Sequence, residues 1–85
     1  MAYEINIRPA AIKALKKVPK DDVARVDAKI QSLAVDPRPV GSEKLKDSDE
    51  MMRVRVGDYR IIYTVDDGKL LVLVLTIGDR KEVYR

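Results

Sequence analysis

The 85-residue chain has no cysteine, no histidine, no phenylalanine and no tryptophan. Without cysteine there is no disulfide framework and no thiolate metal site, which fits a reducing cytoplasm. Without histidine the commonest metal ligand and the usual acid-base residue at neutral pH are gone. Transition-metal catalysis and His-based triads are therefore excluded. Without Phe or Trp, the core must come from Val, Ile, Leu, Ala, Met and the four tyrosines. A core that thin invites a partner or a dimer that buries more surface. Long apolar runs are missing too. The longest, Leu70 to Leu75, is far too short to span a bilayer. The start, MAYEINIRP, lacks the charged head and apolar run of a signal peptide. The expectation is one cytoplasmic domain over residues 1–85 with no membrane contact.

What is present is charge. Seventeen Lys and Arg stand against fourteen Asp and Glu, a net charge of +3. This modest bias suits a nucleic-acid ligand without requiring one.

Residues 2 to 8, AYEINIR, alternate and predict a first strand. Pro9 suits a helix start, and Ala11, Ile12, Leu15 and Val18 follow at helical spacing. Asp21 and Asp22 predict a second start by capping and by charge. Val23, Val26, Ile30 and Leu33 carry that helix from about 20 to 35. Residues 36 to 50 read as a loop, with Leu45 as an anchor into the core. From Met51 the period changes to two. Gly57-Asp58 lies between two alternating runs, as a type II′ hairpin turn requires. Asp66-Asp67-Gly68 marks the next turn, and KLLVLVLTI reads as a central strand covered on both faces. The tail DRKEVYR is a candidate edge strand. Together these elements predict an α+β domain in which a helical hairpin covers one face of a mostly antiparallel sheet.

Strand parity then sorts the side chains. Met52, Val54, Val56, Tyr59, Ile61 and Tyr63 share one face, the bed for the helices. Arg53, Arg55, Arg60, Ile62 and Thr64 share the other, with Arg55 opposite Arg60. A three-residue loop with Gly68 in the left-handed region pairs Val65 with Lys69, and Arg60 with Val74. Leu71, Leu73, Leu75 and Ile77 then join the helix face. Leu70, Val72, Val74, Thr76, Gly78, Arg80 and Tyr84 join the arginines. Like charges directly opposite in a sheet repel, so an anion between Arg55 and Arg60 would turn a liability into an asset. The plain alternative is a solvated basic face, but the nearby acids sit mostly in turns by this reading. Lys44 and Lys46 flank Leu45; they are solvated or touch an RNA backbone. Tyr59 and Tyr63 read as core. The Asp pairs read as a cap and a turn, with no calcium-loop spacing.

The stretches R-V-G-D-Y-R-I-I-Y and G-D-R-K-E-V-Y, with YEINIRPAAIKALKKVPK near the start, resemble the RelE family of toxin-antitoxin toxins. The resemblance spans almost the whole chain. It implies a β-α-α-β-β-β microbial-RNase-like domain and an endoribonuclease that cleaves messenger RNA in the ribosomal A site. It also implies a RelB-like antitoxin that wraps the toxin, and a complex that binds its own operator DNA through the antitoxin. The family's basic positions fall on Arg53 and Arg55, its phosphate-binding arginine on Arg60, a second arginine on Arg80 and its tyrosine on Tyr84. Some members carry lysine in the strand of Arg53 and Arg55, where it is proposed to help activate the nucleophile; this chain has arginine at both. The sequence stops at Arg85, where some relatives continue into a further helix, so none is expected here. The ParE branch shares the fold, acts on DNA gyrase and generally lacks the catalytic set. Arg60, Arg80 and Tyr84 favour the RelE branch over that one; a non-catalytic RNA-binding module is the remaining alternative.

The reaction so implied is attack by a ribose 2′-oxygen on its own phosphate, which needs no metal, no cofactor and no protein nucleophile. Clustered arginines supply charge stabilisation, with Arg60 foremost and Arg80 near the leaving oxygen. Tyr84 would stack on a base, orient the 2′-hydroxyl or act as a base. No residue is tuned near neutral pH, so ribosomal positioning is expected to supply much of the rate.

Overall fold

Arg8 holds an extended backbone, and Pro9, whose missing N–H costs nothing in a first turn, opens helix α1 (Pro9–Leu15). Pro19, again extended, caps α2 (Lys20–Ser32). Asp21 and Asp22 lie in its first turn but form no capping hydrogen bond, so their contribution is charge against the helix dipole. The helix ends at Ser32, where the expectation ran to about 35; tighter turns carry residues 33 to 35. In the computed structural model, which describes residues 2–45 and 50–79, the strands are β1 (Glu4–Ile7), β2 (Glu43–Lys44), β3 (Met51–Val56), β4 (Tyr59–Asp66) and β5 (Leu71–Asp79). They form one five-stranded sheet in the order β1-β5-β4-β3-β2. Only the β1–β5 pair is parallel. This is the expected α+β arrangement, with one short strand added in the stretch assigned to a loop.

The core lies between the two helices and one sheet face. Ala11 of α1, Val26 and Ile30 of α2, and Leu33 meet Met52, Val54, Ile61, Tyr63, Val72, Val74 and Ile77. Ile12, counted on the apolar stripe of α1, is instead 46% exposed. Tyr63 fills the largest buried volume, and its hydroxyl donates to the Pro37 carbonyl at 2.8 Å. Burial raises its pKa, and the bond answers the cost of an unpaired buried hydroxyl.

The β3–β4 hairpin is as expected. Val56 pairs with Tyr59 around Gly57-Asp58, and Gly57 has φ +56. The β4–β5 register is not. Asp66 pairs with Leu71, so the loop has four residues, and Leu70, not Gly68, occupies the left-handed region with φ +50. The Asp66 carboxylate accepts the Lys69 amide at 3.1 Å, a local bond that shapes this loop. An even loop reverses the predicted parity. Val72 and Val74 are fully buried in the core, and Leu71 and Leu73 pair with Asp66 and Thr64 on the arginine side. A bulge then gives β5 one unpaired residue, Leu75, between Val74 and Thr76. Parity reverses again, so Ile77 is core as expected and Arg60 lies opposite Gly78 rather than Val74.

Candidate functional site

The β3–β4 ladder puts Arg53 and Arg55 on one strand and Arg60 on the next, with Arg55 paired to Arg60. In a two-residue hairpin the flanking pair, Val56–Tyr59, carries the ladder hydrogen bonds and the next pair, Arg55–Arg60, does not, so those side chains sit close, at about 4.5 Å between Cα atoms. Arg55 Nε donates to the Gly57 carbonyl at 3.2 Å, which folds its stem toward the turn. Arg53 and Arg60 are half-buried and Arg55 is exposed. Three cations this close on one face form an anion site in waiting.

A fourth group completes the site. The two residues of β2 pair with β3, setting Glu43 opposite Arg53 and Lys44 opposite Met52. Arg53 Nη2 and Nε donate to Glu43 Oε2 at 2.7 and 3.3 Å. The hydrogen bond from Arg53, helped by the nearby Arg60 charge, holds the Glu43 carboxyl below the usual carboxylate range. The expectation that acids stand apart from the arginines is therefore wrong at this position. Glu43, Arg53, Val54, Arg55, Arg60 and Gly41 line a cleft of about 130 Å³. Gly41 has φ +94, a conformation that suits glycine, and nothing crowds its Cα.

Of the residues singled out in the sequence, Arg53, Arg55 and Arg60 come together here. Lys44 lies on β2, exposed, one residue from the cleft wall. Lys46, Arg80 and Tyr84 lie outside the described residues. Glu43 was missed because a two-residue strand has no periodicity to read. The only available signal was its place in the polar run ahead of the arginine-bearing strand.

Beside the arginines, the open face is apolar. Ile62, Leu71 and Leu73 share it half-buried, with Thr64 between them. Ile62 is where the sequence placed it, and Leu71 and Leu73 stand in for the expected Leu70, Val72 and Val74. A larger hollow of about 560 Å³ lies on the helix side, between α1 and the ends of β4 and β5. It holds Lys13, Lys17, Tyr59 and Asp79 but none of the three arginines, so volume does not locate this site.

At the opposite corner, Arg38 grips Asp67 with two hydrogen bonds, at 3.2 and 2.9 Å, and Tyr3 donates to the same carboxylate at 2.6 Å. Arg38 and then Tyr3 lower the Asp67 pKa, and the carboxylate in turn raises that of Tyr3. This cluster ties the β4–β5 loop to the start of β1 and to the segment after α2. All three groups are taken up by one another, which marks a structural clamp.

Comparison with known proteins adds the following. The family model described as "ParE toxin of type II toxin-antitoxin system, parDE" matches residues 5–84. The chain is 31% identical over 84 residues to Toxin RelE of Mycobacterium tuberculosis, covering 98% of this chain and 87% of the relative. It is 27% identical over 88 residues to the mRNA interferase toxin RelE of Escherichia coli, covering 99% of this chain and 92% of the relative. The crystal structure of an archaeal RelE–RelB complex from Pyrococcus horikoshii superposes with a TM-score of 0.83 at 29% identity, covering 94% of this chain and 97% of that one. No helix among the described residues is long and apolar enough to cross a membrane.

Proposed function

From the premise that this chain belongs to the RelE/ParE family, as a RelE-type toxin of a type II toxin-antitoxin system, we propose that it is an endoribonuclease that cuts messenger RNA in the ribosomal A site. The carrying observation is the cleft itself, with Arg55 directly opposite Arg60 and Arg53 beside them on the uncovered face of the sheet. A phosphate diester seated there neutralises the arginine repulsion. The arginines stabilise the extra negative charge as the 2′-oxygen bonds to phosphorus. Fixed donors of this kind commonly supply a factor of about 100 or more each. Arg80 and Tyr84, outside the described residues, are assigned on this proposal to charge stabilisation at the leaving oxygen and to stacking on a base, orienting the 2′-hydroxyl or taking its proton. The name of the E. coli relative supports this reading.

The ParE description of the family model supports a second reading, inhibition of DNA gyrase. One experiment separates them. The purified toxin is added to ribosomes translating a defined message and the cut ends are mapped; in parallel, gyrase supercoiling is assayed. Cuts within A-site codons with normal supercoiling support the nuclease. Intact message with blocked supercoiling supports the gyrase inhibitor.

The toxin pairs, on this proposal, with a RelB-like antitoxin that carries the complex to its operator. Its neutralising segment is apolar on one side and acidic on the other, matching Ile62, Leu71 and Leu73 beside the arginines. Hydrogen exchange with the antitoxin bound should protect β3, β4 and β5. Protection confined to the outer faces of the helices would reject that placement.

A further inference from the structure

A second basic surface lies where the sheet edge meets α2. Strand β2 pairs only with Met52 and Arg53, so β3 runs on from Val54 to Val56 with a free edge. Between that edge and α2 lies an open groove of about 520 Å³. Its charged lining residues, Arg25, Lys29 and Arg55, are all cations. Arg55 also lines the arginine cleft, so the two basic surfaces are continuous. We propose that this groove binds the backbone of the message strand downstream of the cut, an assignment that rests on the nuclease reading above.

Two guanidiniums from different elements converge on the β3–β4 turn. Arg55 Nε donates to the Gly57 carbonyl at 3.2 Å. The Arg25 guanidinium lies over the same residue, where an added Cβ would stand 3.5 Å from it. Because the Arg55–Arg60 pair carries no ladder bonds, the Arg55 N–H points out along the free edge as a further donor. Lys29 follows Arg25 by one helical turn, about 6 Å along the axis, a step close to that between successive phosphates of an extended strand. The Lys29 ammonium has no acidic partner among the described residues. The Asp22 carboxylate reaches Arg25 only at 3.9 Å, and Asp22 and Asp58 line a separate hollow with Tyr59.

The chemistry of the groove selects its occupant. An acidic protein segment would answer the charge, but Ala28 and Val56 are the only apolar side chains in the lining. A phosphate backbone needs only the cations, and it binds them without regard to sequence. The direction follows from the ribosome. Nucleotides upstream of the A-site codon pair with the P-site transfer RNA, so only the downstream side is free to enter the groove. A strand held there, with its scissile phosphate in the arginine cleft, is fixed at two points, which helps to orient the reacting atoms.

The double variant Arg25→Gln with Lys29→Gln tests the assignment, with its urea midpoint as the check on folding. Binding to ribosomes is measured by sedimentation with two messages whose A-site codon is 2′-deoxy and so stays uncut. One message ends at that codon, and the other continues for about ten nucleotides, within the span that a single-strand groove covers. On the long message, wild-type affinity should fall about sevenfold more than the variant's between about 50 and about 200 mM salt, the effect of two phosphate contacts. On the short message the two proteins should bind alike. If the double variant does not fold, Lys29→Gln alone should show a difference of about two- to threefold. A wild-type protein that gains nothing from the longer message would overturn the assignment, as would a variant that binds the long message like the wild type. A variant weakened equally on both messages would overturn it too and give the groove to ribosomal RNA. All three results leave the nuclease reading standing as long as the wild-type protein cuts an unmodified message. No cutting by the wild-type protein would remove that reading, and this site with it.

Discussion

The two faces of this sheet are built from the same strands and do opposite things. On the covered face Val54, Ile61, Tyr63, Val72 and Val74 are at most 3% exposed, sealed by four side chains from α2, its C-terminal turn and α1. On the open face Arg53, Arg60, Ile62, Leu71 and Leu73 stay half-buried, and Arg55 faces solvent. Neighbours one residue apart, such as Ile61 and Ile62, belong to different enterprises. The first face meets the needs of folding, leaving the second able to hold like charges directly across a ladder. That division explains how a domain without Phe or Trp can carry a mutually repelling arginine pair. It also predicts that substitutions on the two faces separate cleanly, with folding lost on one and function lost on the other.

The largest separation is expected on β5. Val74→Asp places a charge in the dry core, at a cost of several kcal/mol against a total stability of about 5–15 kcal/mol. Circular dichroism should show an unfolded chain. Leu73→Asp, one residue away and opposite Thr64, should fold. If both variants fold equally well, the assigned register is wrong.

A smaller contrast is expected on β4. Ile61→Ala deletes fully buried methyl groups and should cost about 2–5 kcal/mol in urea unfolding. Ile62→Ala, on the half-open face, should cost about 1 kcal/mol or less, with its effect appearing in antitoxin binding instead.

Acid should produce the smallest effect. Glu43 and Asp67 both have lowered folded-state pKa values, held down by Arg53 and by Arg38. Their stabilisation is complete above the ordinary carboxylate pKa of about 4 and is lost as pH falls through the lower folded value. Stability should therefore be level near neutrality and decline below about pH 4. Asp67→Asn should flatten that decline, and Glu43→Gln should flatten it independently. An unchanged acid limb in both variants would show that neither pairing matters to folding.

Much of this division was legible in the sequence, and the failures have local causes. The spacing from Val23 to Leu33 announced α2, and Gly57-Asp58 announced a hairpin whose alternation grouped the arginines. The register of β5 was not legible, because KLLVLVLTI is apolar at nearly every position and so carries no parity of its own. Its faces depend on the loop, where Leu70 rather than a glycine takes the left-handed conformation, and on the bulge at Leu75. Neither leaves a mark in the residue pattern. Two opposite errors cancelled at Ile77, which was placed correctly for the wrong reason. The strand β2 was hidden for a different reason: two residues become a strand only by pairing with β3, and that pairing alone brings Glu43 to the arginines.

The central claim is that the open face does the chemistry, and Arg60→Ala addresses it most directly. The measurement is the single-turnover rate of A-site cleavage on ribosomes carrying a defined message, alongside the urea midpoint of the same protein. Arg60 lies outside the buried cluster, on the face opposite the helices. The account predicts an unfolding midpoint close to that of the wild type and cleavage slowed by about a hundredfold or more. Normal cleavage by a folded Arg60→Ala protein would contradict it.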